Sequence, residues 1–419
     1  TFSLGLIDTF MVSQLGNTEM AAVTTANVPV FLLISIVFGV QSGVGILISQ
    51  YWGKKDLENI SRAMGVAAYL GVGIAAVLAA AFFLWPVEIM DLLSNKHELS
   101  LLGAPYLRII GFSYVFNMLS SIYVSAQRSV ENSSFGMKLF GMSTVINTGM
   151  NYLLIFGKFG FPEMGIAGAA IASSISEGVS ALFYILYTRY RTDWRRYKFR
   201  FTGFDFSLLK QILSLSVWVM IQQGVAFLAW FLFFLCIEHL GKRDLAATNI
   251  VRAVSSLIFM FINAFASTTS SLVSNLIGAG YTEQIMPLCR KMIRLCFCFV
   301  LPLCILAAAI PYWTLRIYTD DVSLIEYAIP SLWVMLTTNI PCTAAFIYQF
   351  SVSGTGNTRT ALTIVACTSI VYVAYTALLV YGLHADVALC WTADHVYYGC
   401  TLTASYLYMR YGNWRARKI

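Results

Sequence analysis

Asp8 is an acidic residue in an apolar stretch, and no basic residue lies near it in the sequence. The nearest Lys or Arg is Lys54, more than forty positions away. A charged side chain inside hydrocarbon costs about 2.5–3.5 kcal/mol on insertion scales, so such a group is protonated, paired across helices or turned to water. Asp8 is therefore a candidate for reversible proton binding. The alternative is an aspartate that caps a helix end or reaches the membrane surface.

Two asparagines form a second polar feature. Asn147 and Asn151 are four residues apart, which places both amides on one face of a helix. An unpaired amide in hydrocarbon is costly, so this face is expected to meet a cavity or a neighbouring helix. Asn27 and Ser173 are candidates to complete the same cluster, and Glu177 lies one turn beyond Ser173. Plain hydrogen bonding between helices is the competing explanation, and for Glu177 it is the favoured one.

Several polar and aromatic residues of the second half are candidates for binding organic compounds. Flexible Met and aromatic side chains suit apolar cations of varied shape. In a chain with 15% aromatic residues, each is more often a packing or membrane-interface residue. The candidates are Trp218, Gln222, Gln223, Trp230, Met260, Tyr348 and Gln349.

Other chemistry receives less support from the sequence. Asp394 and His395 lie in the last apolar segment and are a weaker candidate for a second proton site. The nine cysteines all follow residue 230, without the Cys and His spacing of a zinc site. A buried cysteine behaves as a small hydrophobic residue, so we expect no metal and no disulfide.

The composition indicates an all-α polytopic membrane protein. Of 419 residues, 58% are hydrophobic and only 11% are charged, and the mean hydropathy is +0.72. Soluble domains carry about 25% charged residues. The apolar runs are about twenty residues long, as spanning helices require, and lack the alternation of a barrel. The net charge of +7 is spread between apolar runs, so nucleic-acid binding is not expected.

Twelve apolar segments follow one another along the chain. The chain begins with Thr and is already apolar at Phe2, so we expect the start of the first helix to be missing. Twenty of the 27 Lys and Arg residues fall on one side of this arrangement, which predicts that both ends are cytoplasmic. The segments lie near 1–15, 22–48, 64–87, 101–126, 139–157, 165–188, 212–239, 246–275, 293–315, 327–351, 361–382 and 388–409.

The two halves of the chain are repeats with an offset of 225 residues. Three separated matches share this offset; among them Gly16 recurs as Gly241 and Asn132 as Asn357. Each half has six segments, so both enter the membrane in the same direction. We predict an N-lobe at 1–188, a basic linker at 189–211 and a C-lobe at 212–419. The linker either binds anionic lipid headgroups or simply follows the Lys/Arg rule, and the second explanation is favoured.

Short motifs occur in a specific order over nearly the whole chain. They are IDT at 7–9, ISQYWG at 48–53, NYLLIFG at 151–157, GIAGAA at 165–170 and GNTRT at 356–360. Their order and spacing resemble the MATE family of multidrug and toxic-compound extrusion transporters. The resemblance implies twelve helices in two six-helix lobes around a V-shaped cavity. It also implies export of amphipathic, often cationic, organic compounds coupled to inward H⁺ or Na⁺ flow.

The resemblance also assigns coupling residues. A proton-linked Asp of the first helix maps onto Asp8, and an Asn and an Asp of the fifth helix map onto Asn147 and Asn151. The second position is Asn here, so only one group of this set can titrate. Another branch of the family has coupling acids on the seventh and tenth helices. Ungapped placement puts these near Ala226 and Cys342, neither of them acidic, which favours coupling through Asp8.

We therefore predict a multidrug/H⁺ antiporter that works by alternating access in the cell inner membrane. We expect a monomer whose partners are small organic substrates and membrane lipids, with no nucleic acid and no cofactor besides the coupling ion. A Na⁺-coupled exporter stays open. A lipid-linked oligosaccharide flippase would need a more cationic cavity, and Arg252 is the only basic residue well inside a segment. An intramembrane enzyme is disfavoured, because no metal pair, paired aspartates or nucleophile elbow is present.

Overall fold

The chain is helical apart from short turns wherever its structure is described. The computed structural model of the protein describes residues 8, 11, 12, 14–92, 97–191 and 205–416, and these ranges contain no β-strand. Asp8, Met11 and Val12 are helical, whereas the remainder of the predicted segment 1–15 lies largely outside the described residues. The predicted all-α class is confirmed.

The first of two compact units comprises Thr1–Ser216. Its helices begin and end within a few residues of the predicted segments. Those that lie wholly in the described part are α1 (Asn17–Gly53), α2 (Leu57–Leu84), the short α3 (Pro86–Asp91), α4 (His97–Ser129), α5 (Ser133–Ile155) and α6 (Gly165–Arg191).

The second compact unit comprises Val217–Ile419. It contains most of α7 (Phe206–Glu238), followed by α8 (Lys242–Gly278), α9 (Ile285–Ala309), the short α10 (Pro311–Arg316), α11 (Val322–Gly354), α12 (Thr358–Ala377), the short α13 (Val387–Cys390) and α14 (Thr392–Tyr411). A π-helical turn, Leu378–Gly382, ends α12, and 3-10 turns lie at Thr282–Gln284 and Asn413–Ala416.

The start of α7 differs from the predicted boundary between linker and C-lobe. The helix begins at Phe206, inside the predicted linker 189–211, and residues 192–204 of that linker lie outside the described ranges. The first turns of α7 pack on α1: Ser216 lies against Gly43, and Tyr51 donates a hydrogen bond to Gln211 at 3.5 Å. This packing places the first turns of α7 in the first unit.

The sequence repeat extends to the bounds of the helices. Lys242–Gly278 reproduces Asn17–Gly53 at the offset of 225 residues, and Val322–Gly354 reproduces His97–Ser129. The turns repeat as well. Left-handed backbone occurs at Glu131 (φ 65°) and at its counterpart Gly356 (φ 84°), where glycine adopts this conformation without strain. The predicted repeat is confirmed.

Helices of both units are suited to a membrane. Eight helices in the described part of the chain are long and apolar enough to cross one. Three further predicted spans, α5, α11 and α14, are not among these eight. Each of them carries buried amide or charged side chains, such as Asn151 on α5, Asn339 on α11 and Asp394 on α14. The less apolar helices are thus the ones that bring polar groups into the interior.

One central helix organises each unit. In the first unit, α4 packs against α1, α2 and α6, and its Leu107 and Ile110 lie in an apolar core. In the second unit the repeat-equivalent helix, α11, packs against α8, α9, α12 and α14. Its Leu332 and Met335 are buried in a core that also contains Trp391. The polar clusters described below lie beside these central helices.

Candidate functional site

Asp8 accepts hydrogen bonds from two helices of the first unit. Asn151 on α5 donates its amide N–H to Asp8 Oδ1, and Ser173 on α6 donates its hydroxyl to Asp8 Oδ2 at 2.9 Å. Within the described residues no Lys, Arg or His forms an ion pair with Asp8. Hydrogen bonds to an ionised acceptor are about twice as strong as neutral ones. The two donors therefore solvate a carboxylate that has no cation beside it.

The two donors to Asp8 are joined through a further side chain, Asn147. The amide N–H of Asn151 also donates to Asn147 Oδ1 at 3.1 Å, and Asn147 donates to Ser173 Oγ at 3.1 Å. Asp8, Asn147, Asn151 and Ser173 thus form a closed ring, which we call the Asp8 ring. Both asparagines are fully buried. Asn151 Oδ1 is buried as well, and it has no hydrogen-bond partner among the described residues.

The local sequence explains how the helices present this ring. Asn147 and Asn151 are one turn apart on α5, so both amides face the same neighbour. Gly168 lets α6 approach α5 closely: a Cβ at this position would lie 2.6 Å from the carbonyl oxygen of Leu154. This close approach brings Ser173 within reach of Asn147.

Tyrosines of the central helix α4 lie beside the Asp8 ring. The Tyr106 hydroxyl donates to Asn27 Oδ1 at 3.3 Å, and the phenols of Tyr106 and Tyr114 both interact electrostatically with Asp8. Asn27, a predicted member of the cluster, therefore lies next to the ring but forms no part of it. The sequence analysis did not predict the tyrosines, and their only signal is a polar group on an otherwise apolar helix.

Glu177 is a second buried acid of the first unit. It lies one turn beyond Ser173 on α6 and accepts a hydrogen bond from Asn117 of α4 at 3.0 Å. No hydrogen bond links Glu177 to the Asp8 ring within the described residues, although Tyr114 interacts electrostatically with both acids. This geometry agrees with a polar contact between helices, the explanation that the sequence favoured.

The Asp8 ring offers an acid that can change its charge, surrounded by groups that can reverse their hydrogen bonds. A hydroxyl rotates, and an amide presents either a donor or an acceptor. Its oxygens are also hard ligands of the type that alkali and alkaline-earth cations prefer. Among the described residues, no group of three or more His, Cys, Asp or Glu side chains is placed to hold a metal ion.

The predicted substrate-binding residues of the second unit do not gather in one place. Trp218 and Trp230 lie on one helix, α7, where a rise of about 1.5 Å per residue separates them by roughly 18 Å. The Arg359 guanidinium lies 5.4 Å from the centre of the Trp218 ring. Trp230 is exposed and packs 4.7 Å from Phe234.

The polar and flexible candidates also occupy different surroundings. Gln222 is buried, and its Oε1 has no partner among the described residues, whereas Gln223 on the same helix is half-buried. Met260 on α8 is exposed. These three residues stay candidates for contact with organic compounds.

Gln349 and Tyr348 correct the sequence prediction. Gln349 is buried, and both ends of its amide are used: Nε2 donates to the Ala361 carbonyl at 2.9 Å, and Oε1 accepts from Ser405 Oγ at 2.9 Å. Its amide therefore joins α11 to α12 and α14. Tyr348 is buried against Tyr406, with the ring centres 5.3 Å apart. Neither side chain is free to meet a substrate.

A second charged cluster lies in the second unit. Arg252 Nη1 on α8 forms an ion pair with Asp394 Oδ2 on α14 at 3.3 Å, and their side chains are 15% and 8% exposed. The guanidinium lies 4.4 Å from the centre of the Trp391 ring. His395, beside Asp394 in sequence, contacts the Thr338 hydroxyl through Nδ1 at 3.1 Å. The sequence marked Arg252 and Asp394 separately, and their pairing across 142 positions was not predicted.

Comparison with known proteins identifies the family. The MatE family model matches residues 1–153 and 209–378, which is most of the chain. The chain belongs to the MatE family. The MatE family consists of membrane transporters, and the apolar helices of this member make it a multi-pass membrane protein.

Relatives of this MatE protein carry names that refer to drug resistance. It is 29% identical over 279 residues to a probable multidrug resistance protein, YoeA, of Bacillus subtilis, with 66% of this chain and 60% of the relative covered. It is 23% identical over 366 residues to a probable multidrug resistance protein, NorM, of Thermotoga maritima, with 84% and 76% covered. The match to YoeA thus spans about 60% of the length of that relative.

Solved structures share the fold. A MOP superfamily transporter from Pyrococcus furiosus superposes with a TM-score of 0.86 at 18% identity, covering 98% of this chain and 91% of that one. A MATE protein in a straight conformation gives a TM-score of 0.85 at 17% identity over the same shares. The predicted MATE-like fold is therefore confirmed.

Proposed function

We propose that this MatE protein exports amphipathic or cationic organic compounds in exchange for protons. The names of its relatives, probable multidrug resistance proteins, support export of organic compounds. The observation that carries the choice of ion is Asp8, an acid bonded only to neutral side chains in the described part of the chain. An acid of this kind can exchange its charge for a proton without leaving a cation unpaired.

Protonation of Asp8 would change the hydrogen bonds of the whole ring. In the arrangement seen, both carboxylate oxygens accept, from Asn151 and Ser173. A protonated carboxyl has one oxygen that must donate instead, and its present neighbours there are donors. If the Asn151 amide turns, its unpartnered Oδ1 can accept from that carboxyl. The same turn removes the donor that now serves Asn147 Oδ1.

This rearrangement supplies a physical link between the proton and the helices. The ring joins the first helix to α5 and α6, so exchanging its bonds changes how these three pack. In the proposed cycle, Asp8 takes a proton from outside, the helices repack and the substrate leaves. The proton is then released to the cytoplasm when the protein opens inward. Each inward elementary charge supplies about 2.3 kcal/mol per 100 mV of membrane potential.

The arrangement in the membrane is part of the proposal. The bias of Lys and Arg residues supports cytoplasmic termini in the bacterial inner membrane. A monomer is sufficient, because every residue of the Asp8 ring comes from one unit of one chain. Labelling of single cysteines placed at the two ends, from each side of the membrane, tests this orientation.

Imposing the pH and Na⁺ gradients separately tests the choice of ion. Vesicles containing the purified protein are loaded with the fluorescent cation rhodamine 123, and its movement is followed with either gradient alone. We expect transport with an inward proton gradient in Na⁺-free buffer. Transport that follows a Na⁺ gradient at fixed pH, and ignores the proton gradient, would replace H⁺ by Na⁺ in the proposal. That outcome is chemically reasonable for a ring of oxygen ligands.

A further inference from the structure

The charged cluster of the second unit occupies the same place in the repeat as the Asp8 ring. Phe233 lies 225 residues after Asp8, and Arg252 lies 225 residues after Asn27. Tyr372 has the same relation to Asn147, and it interacts electrostatically with both Arg252 and Asp394. The second unit has therefore kept a polar cluster at this position, with different chemistry.

Aromatic rings surround the guanidinium of this cluster. Its Cζ lies 4.4 Å from the centre of the Trp391 ring, 5.4 Å from Phe233 and 5.8 Å from Phe234. Such contacts stabilise a cation, and they also hold the planar guanidinium in a fixed orientation. The Arg252 side chain remains 15% exposed, so the cluster is open on one side.

Hydrogen-bond donors exceed acceptors around Arg252. Only Nη1 has a partner, Asp394, whereas Nε and Nη2 are buried without one among the described residues. The indole Nε1 of Trp391 and the hydroxyl of Thr248, one turn before Arg252 on α8, are buried and unpartnered as well. A buried donor without an acceptor costs about 1–3 kcal/mol, and more when it is charged. The cluster therefore lacks an acceptor, most plausibly an anionic oxygen pair that matches the guanidinium fork.

We propose that Arg252 binds the carboxylate of transported compounds, so that this protein takes zwitterionic aromatic compounds as well as cations. Trp391 and Phe233 supply the aromatic wall beside that carboxylate. The proposal rests on the proposed export of organic compounds and names a substrate class for it. Asp394 compensates the Arg252 charge when the site is empty, and its ion pair leaves the free edge of the guanidinium for the ligand.

A pair of dyes that differ in one group tests this proposal. Rhodamine 110 has a free carboxylate, and rhodamine 123 is its methyl ester. Their dissociation constants are measured by fluorescence polarisation with the purified full chain in phosphatidylcholine nanodiscs, which contain no anionic lipid. We expect the Arg252→Met variant to weaken rhodamine 110 at least about tenfold, since a charge-assisted hydrogen bond is worth about 1.5–3 kcal/mol. Rhodamine 123 should change less than about twofold.

Two further variants guard against misfolding and against a general charge effect. Arg252→Met leaves Asp394 buried and unpaired, so the pair is also neutralised together as Arg252→Met/Asp394→Asn, which should show the same selective loss. Arg243→Met is the matched control on the same helix, because Arg243 is exposed and lies 4.4 Å from the Tyr327 ring centre. It should leave both dyes unaffected.

Equal weakening of both dyes, or no change in either, would overturn the carboxylate site. Wild-type protein that binds both dyes equally would do the same. The proposed export is judged separately, by transport of rhodamine 123 in wild-type vesicles. The two proposals can therefore fail independently.

Discussion

Each unit carries a buried acid at an equivalent place in the repeat, but the two acids are compensated in opposite ways. Asp8 in the first unit is bonded to the neutral side chains of Asn151 and Ser173. Asp394 in the second unit is paired with Arg252, a permanent cation. An acid among neutral donors can gain or lose a charge. An acid beside an arginine is fixed as half of an ion pair.

The difference suggests a division of work between the repeats. A chain that duplicates a six-helix unit can keep a reversible charge in one copy and convert the other copy to ligand binding. The conversion here replaces Asn27 by Arg252 and Asp8 by Phe233 at the matching positions. The following predictions test this comparison, beginning with the largest expected effect.

Replacing Asp8 should abolish proton-driven export. In the Asp8→Asn variant the ring keeps its shape but has no group that titrates, so a proton gradient should drive no rhodamine 123 transport above the leak. Asp321→Asn is the matched control: Asp321 caps α11 by accepting from the Ser323 and Leu324 N–H groups, and asparagine caps equally well. Full export by Asp8→Asn would remove Asp8 from the mechanism.

The same substitution at the two acids should affect stability differently. Asp394→Asn leaves the Arg252 charge buried and unpaired, and breaking a buried ion pair costs about 3–5 kcal/mol. Asp8→Asn removes a charge that has no cation partner and should leave stability unchanged or raised. Thermal unfolding of both variants in detergent, followed by intrinsic fluorescence, decides the matter. Equal destabilisation would mean that the two clusters do not differ in charge compensation.

Ser173 should contribute less than Asp8 but more than an ordinary buried serine. Ser173→Ala removes the hydroxyl that donates to Asp8 and accepts from Asn147. Hydrogen bonds to charged groups are worth about 1.5–3 kcal/mol, so proton-driven export should slow about tenfold or more. Ser180 is a matched control on the same helix, since its hydroxyl bonds only to the Ser176 carbonyl. If Ser180→Ala slows export as much, the effect belongs to α6 packing and not to the ring.

Gln349 should affect stability and leave substrate choice unchanged. Gln349→Met keeps the side-chain size but removes the bonds to Ala361 and Ser405, which should cost about 1–3 kcal/mol. The relative transport rates of rhodamine 110 and rhodamine 123 should stay as in the wild type. A changed ratio with unchanged unfolding temperature would return Gln349 to the substrate-binding residues.

The sequence predicted those features that repeat locally or carry a local cost. The helices follow from apolar runs, and the shared offset revealed the two units. Asn147, Asn151 and Ser173 were found because amides and hydroxyls at helical spacing need partners inside a membrane. The structure brought these three to Asp8, although residues 1–7 of the predicted first helix lie outside its described part.

Partners chosen by packing between distant helices were not predictable in this way. Tyr106 and Tyr114 lie on a helix whose pattern does not say which face meets Asp8. The sequence showed Gln349 as a polar group in an apolar helix, but not that neighbouring helices already use both ends of its amide. Arg252 and Asp394 were each conspicuous, yet nothing in their local sequence joins them.

The central claim, that Asp8 exchanges a proton for the substrate's charge, is tested most directly by counting protons when substrate binds. Rhodamine 123 is added to the purified protein in weakly buffered, Na⁺-free solution, and proton release is read with a pH-sensitive dye. We expect about one proton per bound cation in the wild type and none in Asp8→Asn, because the ring contains a single titratable group. Equal release by both proteins, or wild-type binding that displaces Na⁺ without releasing protons, would contradict this account.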